Sequence, residues 1–187
     1  MPKLSDIHVQ TSALFALAAM LMLVELGWVG AFLTSAAFHE LCHILMLKLL
    51  GCPIGKISIG MTGARIHVGT LSAKQTMLAS LAGPLGGFLL TLTGRWFPRL
   101  AVCAFFHSCV NLIPLYPLDG GRALRSILPV RFHGPAEYGI TAGLVLLGWM
   151  VLGKAGIFLG IVLIVRLVLE KYLAKNRLSG YNRPTIL

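Results

Sequence analysis

Charged residues are scarce in this sequence. They make up 12% of its 187 residues and only six of them are acidic, whereas 57% of the residues are hydrophobic. Soluble domains usually contain about 25% charged residues. The scarcity excludes an ordinary soluble domain and indicates an integral membrane protein.

Cysteine is also rare, and its spacing does not form a disulfide or zinc motif. The chain has four cysteines and no CxxC pair, so neither a disulfide framework nor a cysteine zinc site is indicated. Low-complexity segments and clear internal repeats are absent from the sequence as well. The expected organisation is a single polytopic membrane domain over residues 1–187, without a separate soluble domain.

Long apolar runs are what the sequence has in abundance. A helix needs about 20 residues to cross the hydrocarbon core of a membrane. Six runs approach that length: 11–26, 29–49, 74–94, 98–113, 137–152 and 155–171. The first two are nearly continuous, and we predict that they separate at Gly27, Trp28 and Gly30, because tryptophan favours the membrane interface. The predicted fold class is therefore all-α, with about six transmembrane helices.

The net charge of +10 follows the predicted topology. With the N-terminus inside, thirteen basic residues fall in inner segments and three, Arg95, Arg99 and Lys154, fall in outer ones. This bias satisfies the positive-inside rule and places both termini of a multi-pass cell-membrane protein in the cytoplasm. Anionic lipid accounts for the basic face, so no nucleic-acid partner is expected.

One apolar run contains three polar side chains, in the stretch HELCH. His39 and His43 are four residues apart, so in a helix they project from one face. Two imidazoles at this spacing can bind zinc, while the adjacent Glu40 can take a proton from metal-bound water without being a ligand. The alternative is a polar helix contact satisfied by neighbours. Lys48 marks the cytoplasmic end of this run, which places Glu40 about 12 Å deeper at ~1.5 Å per residue.

Two histidines leave a catalytic zinc short of a third protein ligand. Among the six acidic residues, Asp119 is the best candidate, since it follows Pro114 and Pro117 in NLIPLYPLDGGR. The prolines interrupt a helix and the following glycines permit a sharp return. A Pro-rich re-entrant loop could carry Asp119 to the metal, although an interfacial loop with a helix-capping aspartate is the alternative.

Together these segments resemble the site-2 protease family of intramembrane zinc metalloproteases, and most closely its bacterial sporulation-factor FB-type branch. The resemblance covers roughly residues 33–128 and rests on HELCH and NLIPLYPLDGG. It implies that His39, His43 and Asp119 bind one zinc ion per chain and that Glu40 is the catalytic base. It further implies that Asn111 and Pro117 position the substrate. A weaker match is LAGPLGG, with Gly83, Pro84 and Gly87; close helix packing and a loosened backbone at Pro84 are alternative readings of that segment.

The sequence departs from the family pattern at two points. Cys42 stands where glycine is usual, which predicts looser helix packing and leaves a thiol near the metal as an open alternative. Sporulation-type relatives carry a soluble nucleotide-sensing domain after the last span, and we expect none here.

The remaining polar segments are predicted to have supporting roles. Alternation around Ile57, Ile59 and Met61, then Ile66 and Val68, predicts a membrane-associated β-hairpin. An exposed strand edge could hold the substrate extended; an ordinary interfacial hairpin is the alternative. The other histidines lack spaced partners and are expected to be packed or interfacial rather than ligands: His8, His67, His107 and His133.

The expected function is hydrolysis of a peptide bond in or near a transmembrane segment, by water that zinc binds and Glu40 activates. The resemblance suggests a membrane-tethered transcription factor, its regulator, or remnant signal peptides as substrates, and a membrane regulatory partner. A metal-binding transporter and a non-catalytic membrane scaffold are the alternatives. A transporter would normally place ligands along a path, whereas these polar groups cluster at one depth.

Overall fold

The computed structural model describes residues 7–60, 63–152 and 185–186. The chain divides into two compact units, Met1–Ile127 with Pro184–Leu187, and Leu128–Arg183. All the residues with predicted site roles belong to the first unit. The expectation of a single membrane domain stays a prediction.

The described residues are mostly helical, with one small sheet. The first unit contains β1 (Ile7–Val9), α1 (Thr11–Leu23), α2 (Leu26–Leu49), β2 (Ile54–Gly60), β3 (Gly63–Val68), α3 (Ala73–Thr91), a 3-10 turn (Leu92–Arg95), α4 (Pro98–Leu112), α5 (Asp119–Ile127) and β4 (Thr185–Ile186). The second unit contains α6 (Val130–Leu152).

Two of the described helical segments are long and apolar enough to cross a membrane, Leu26–Leu49 and Ala73–Arg95. Helix α1 is apolar but has 13 residues, and α4 has 15. Helix α6 begins at Val130 rather than at residue 137, and the predicted run 155–171 lies outside the described residues. The count of six spans therefore stays a prediction.

The break between the first two helices is not where the sequence predicted it. Helix α1 ends at Leu23 and α2 begins at Leu26, because Val24 and Glu25 adopt extended backbone angles. Gly27, Trp28 and Gly30 all lie inside α2. The Glu25 carboxylate forms an ion pair with Arg99 at the start of α4, with 2.7 Å between Oε1 and Nη1. The break therefore lies at Val24 and Glu25, before the tryptophan on which the prediction rested.

The predicted hairpin is present. Strands β2 and β3 pair antiparallel, with Ile57 opposite Ile66 and Ile59 opposite Ala64. Met61 and Thr62 lie outside the described residues, while Gly63 has a φ of +111° that favours glycine. The sheet has the order β1-β2-β3-β4, so β2 is an interior strand, paired with β1 along Ile57–Ile59.

A small apolar core joins the sheet to the C-terminal end of α2. Its buried members are Leu47, Cys52, Ile57, Ile66, Val68 and Ala79. Helix α2 ends at Leu49, and the φ of +67° at Gly51 lets the Cys52 N–H return to the carbonyl of Leu47 at 2.9 Å. This core holds the hairpin against the helix that carries the HELCH motif.

Helix α3 begins with a capping box. The Ser72 hydroxyl accepts the Gln75 N–H at 3.2 Å and the Gln75 side chain accepts the Ser72 N–H at 3.0 Å, which satisfies two otherwise unpaired donors. Pro98 stands at the start of α4, where a missing N–H costs no helical hydrogen bond. These caps fix where the two helices that pack against α2 begin.

Candidate metal centre

The HELCH motif forms part of one buried face of α2. His39 and His43 are 3% and 4% exposed, and the other buried positions of the helix include Ser35 and Leu47. The face on the other side of the helix is exposed, with Leu41 at 57%. The helical period therefore turns both imidazoles away from the exposed side of the helix, toward α3 and α4.

Asp119 reaches the same place from a distant part of the sequence. It is the first residue of α5 and is 4% exposed. The two residues after it must be glycine, because a Cβ at Gly120 would collide with the carbonyl oxygen of Leu112, and one at Gly121 with the backbone of Leu115. The loop thus folds tightly on itself, and this close packing delivers the carboxylate to α2.

Three side-chain atoms converge at this point. His39 Nε2 and His43 Nε2 lie 2.9 and 3.2 Å from Asp119 Oδ2, and the two Nε2 atoms are 3.1 Å apart. Among the described residues, these three side chains are the one group of histidine, cysteine or acidic residues placed to hold a metal ion. The structure therefore brings together the three ligands that the sequence predicted; their role as ligands stays a prediction.

The donor set fits zinc. The Nδ1 atom of His43 lies 2.7 Å from the carbonyl oxygen of Ala79, to which it donates a hydrogen, so its Nε2 keeps the lone pair that a metal needs. The ion pair between Arg122 and Asp119 favours the ionised form of this carboxylate. Two imidazoles and an ionised carboxylate are a ligand set that suits catalytic zinc.

Arg122 holds the second oxygen of the carboxylate. Its Nη1 donates to Asp119 Oδ1 at 3.3 Å, one turn along α5. The contact leaves Oδ2 facing the two histidines. A carboxylate fixed in this way presents one oxygen to the metal position. No sequence pattern predicted this contact of Arg122.

Glu40 lies close to Gly63 and Ala64, at the start of β3. The position of a Cβ on Gly63 would be 3.8 Å from Glu40 Oε1, and the Ala64 backbone N–H interacts with the same carboxylate. The carboxylate also interacts electrostatically with His43, His39 and Asp119. Glu40 is therefore next to the ligand group without belonging to it, which is the arrangement that a catalytic base requires.

Asn111 and Pro117 flank the loop that leads to Asp119, and both are half-buried. The Asn111 side-chain amide donates to the carbonyl oxygen of His107 at 3.1 Å, within α4. Pro117 follows a cis peptide bond from Tyr116. The structure does not place either residue in the ligand group, and their substrate-positioning roles stay predictions.

The glycines of LAGPLGG pack directly against the site. A Cβ at Gly83 would collide with His43 Nε2 and would lie 2.7 Å from His39 Nε2. One at Gly87 would collide with the hydroxyl of Ser108 on α4. Pro84 is fully buried within α3. The small face lets α3 approach both α2 and α4, which supports the packing reading of this segment.

Cys42 faces α3 rather than the ligand group. Its Sγ occupies the space that a Cβ on Gly86 would need, and Cys42 is not part of the ligand group. The thiol is thus accommodated by a glycine on the opposing helix. The predicted looser packing is not needed at this turn, because the missing side chain of Gly86 makes room for the extra one.

The remaining histidines divide into two kinds. His8 contacts the carbonyl oxygen of Val9 at 3.2 Å, His133 contacts that of Leu128 at 2.8 Å, and His67 is half-buried in β3. His107 is different, because its ring stacks on that of His39. No sequence spacing linked these two residues, which are 68 positions apart in the sequence.

Comparison with known proteins gives two curated relatives. No protein-family model matches the chain. Over 112 residues it is 30% identical to zinc metalloprotease MJ0392 of Methanocaldococcus jannaschii, an alignment that covers 52% of this chain and 33% of that protein. Over 182 residues it is 26% identical to Rip3 of Mycobacterium tuberculosis, also named as a zinc metalloprotease, covering 87% of this chain and 44% of that protein. The chain therefore spans about a third of the length of the first relative and less than half of the length of the second.

A solved structure has the same fold. The chain superposes on the site-2 protease from Methanocaldococcus jannaschii with a TM-score of 0.61 and 20% sequence identity, covering 99% of this chain and 97% of that chain. This likeness shows that the two chains share a fold.

Proposed function

We propose that this chain is an intramembrane zinc metalloendopeptidase of the site-2 protease family, to which its fold and its curated relatives are similar. The observation that carries the proposal is the convergence of His39, His43 and Asp119 within 3.2 Å of one another, beside Glu40. The narrower placement in the sporulation-factor branch stays a prediction.

Each residue of the centre has a distinct part in the proposed reaction. His39, His43 and Asp119 would hold the metal. Zinc bound there would act as a Lewis acid that polarises the scissile carbonyl and acidifies a coordinated water. Glu40 accepts the proton of the attacking water, whose oxygen forms a bond to the carbonyl carbon, and returns that proton to the nitrogen as the C–N bond breaks. Asn111 and Pro117 would position the substrate backbone.

The substrate would be a protein tethered in the same membrane. We propose a membrane-bound transcription factor precursor, its regulator, or a remnant signal peptide, with a membrane protein as regulatory partner. Two apolar helical segments of membrane-spanning length support the bilayer setting. Lys48 near the end of α2 supports a multi-pass orientation with both termini and the active site toward the cytoplasm.

The experiment that tests this function uses purified protein in proteoliposomes with a panel of tagged single-span substrates from these classes. We expect at least one substrate to be cut in or near its span, the product to disappear when zinc is removed with 1,10-phenanthroline, and the product to return with added zinc. Cleavage that persists after chelation, or a zinc-loaded protein that cuts no panel member, would contradict the proposal. The second outcome would favour the membrane scaffold.

The hairpin would hold the substrate in an extended form, because a peptide bond inside a helix is shielded from attack. The outer edge of β2 is taken by β1 along Ile57–Ile59. The outer edge of β3 pairs with β4 at His67 and Val68, while Gly63–Ile66 has no second strand partner among the described residues. That stretch begins beside Glu40. We therefore propose it as the edge on which a substrate strand is added.

Disulfide trapping distinguishes this edge from an ordinary interfacial hairpin. In a Glu40→Gln protein with its native cysteines replaced, Arg65→Cys on β3 should crosslink to substrate cysteines at every second position, as strand pairing requires. Lys56→Cys on β2 is the matched control, since both residues are exposed, and it should give a low yield without alternation. Equal yields from the two positions would overturn the edge assignment.

A further inference from the structure

The two histidines of the ligand group are held in different ways. His43 is oriented by the 2.7 Å hydrogen bond between its Nδ1 and the carbonyl oxygen of Ala79. The Nδ1 of His39 is buried and has no hydrogen-bond partner among the described residues. Metal-binding histidines usually have their second nitrogen fixed by such a bond, so some other contact must orient the ring of His39.

That contact is a stack of three rings. The ring of His107, from α4, lies 4.6 Å from that of His39 at an interplanar angle of 30°. The ring of Phe32 also stacks on that of His107, with centroids 5.8 Å apart and an interplanar angle of 21°. Phe32 and His39 are seven residues apart on α2, two turns along one face. The imidazole of His107 thus fills the space between two side chains of the same helix.

The other contacts of His39 do not fix the plane of its ring. The ring of His43 meets it edge-on, with centroids 4.7 Å apart and an angle of 80°. The bond to Asp119 is made through Nε2, the atom that a metal would engage. His107 is the aromatic partner that covers a ring face of His39 among the described residues.

His107 itself is not placed as a ligand. The ligand group comprises His39, His43 and Asp119, whose atoms all lie within 4.8 Å of one another, and His107 is outside it. Its Nδ1 is buried without a hydrogen-bond partner among the described residues, so hydrogen bonding at that nitrogen does not explain its position. What the geometry does show is the flat contact with His39.

We infer that His107 is a positioning residue, whose stacked ring fixes the orientation of His39 and so aims its Nε2 at the metal position. This inference rests on the proposed zinc centre but not on proteolysis. Loss of outer contacts that orient a ligand typically costs about 10- to 100-fold in metal affinity. Since the contact uses the face of the ring, another aromatic ring should replace it, whereas an aliphatic side chain of similar volume should not.

The test compares His107→Phe with His107→Leu in purified protein, with zinc affinity measured by competition with a chelator. The phenylalanine variant should stay within about 3-fold of the wild-type dissociation constant, and the leucine variant should bind zinc about 10-fold more weakly. The visible spectrum of cobalt(II) in the site should be unchanged for phenylalanine and altered for leucine. Phe88→Leu, which disturbs the Phe88–Phe105 ring pair between α3 and α4, is the control for packing alone.

Wild-type affinity in His107→Leu would overturn the inference. Equal weakening in the two His107 variants would also overturn it, because an imidazole nitrogen rather than the ring face would then be required. If Phe88→Leu weakened zinc binding to the same extent, the effect would come from general packing and not from the stacked ring. A wild-type protein that binds no zinc would defeat the metal centre itself, whereas one that binds zinc without cleaving substrate would leave these affinities measurable.

Discussion

Replacing Glu40 with glutamine should leave zinc bound and abolish hydrolysis. The side chain lies beside the ligand group but outside it, so the metal keeps all three protein ligands. A carboxamide has no basic oxygen that can take a proton at neutral pH, and the loss of a general base typically costs about 100- to 10,000-fold in rate. Product formation on a substrate that the wild type cuts, together with the zinc content of the same preparation, measures both expectations.

Glu25→Gln is the matched control for this change. Glu25 is the residue immediately before α2, far from the HELCH turn, and its side chain is 62% exposed. The control should retain both zinc and cleavage. Product from Glu40→Gln at the wild-type rate would remove Glu40 as the base. A loss of zinc in that variant would instead show that the carboxylate helps to hold the metal.

A single methyl group at Gly83 should greatly weaken zinc binding, although Gly83 is not a ligand. A Cβ there would collide with His43 Nε2 and approach His39 Nε2 to 2.7 Å, so it would stand where the two nitrogens meet. If the rings moved aside, they would give up the contacts with Asp119 that form the group. Zinc affinity measured by chelator competition should fall at least about 100-fold, a loss at the upper end of that seen when metal-ligand contacts are disturbed.

The helix itself should tolerate this substitution. Alanine is favoured over glycine inside a helix by about 1 kcal/mol, so any loss of zinc cannot come from a weaker α3. Gly30→Ala is the matched control, because Gly30 lies on the ligand-bearing helix α2 and a Cβ there meets nothing within 4 Å. Circular dichroism should show folded protein for both variants. Full zinc affinity in folded Gly83→Ala would mean that the metal position lies elsewhere.

The parts of the site that follow from local sequence could be predicted. The four-residue spacing of His39 and His43 fixes their common face in any helix, and the prolines before Asp119 interrupt a helix wherever the segment lies. The period-2 pattern around Ile57 and Ile66 predicts the hairpin, and the structure confirms it. Each of these features depends on neighbours within a few residues.

Contacts between distant segments could not be predicted in this way. The carbonyl of Ala79 on His43, the ring of His107 on His39 and the glycine that accommodates Cys42 all depend on how α3 and α4 pack against α2. No periodicity links residues that are tens of positions apart. The break at Val24 and Glu25 was misplaced as well, and Glu25 is likewise paired with a distant residue, Arg99.

The approach of the hairpin to Glu40 also arises only in the folded chain. Alternation predicts two strands but not what their turn contacts. In the structure Gly63, with its positive φ, and Ala64 lie against the Glu40 carboxylate. The same apolar core that buries Ile66 against Leu47 sets this distance. A strand pattern and a metal motif that seemed independent in the sequence therefore form one site.

X-ray absorption at the zinc edge, on purified wild-type protein, tests the central claim most directly. The claim is that His39, His43 and Asp119 form a zinc centre. It predicts bound zinc with two imidazole nitrogens at about 2.0–2.1 Å and a carboxylate oxygen at about 2.0–2.2 Å, without sulfur in the shell. A sulfur ligand at about 2.3 Å, a single imidazole, or protein that holds no zinc would contradict it.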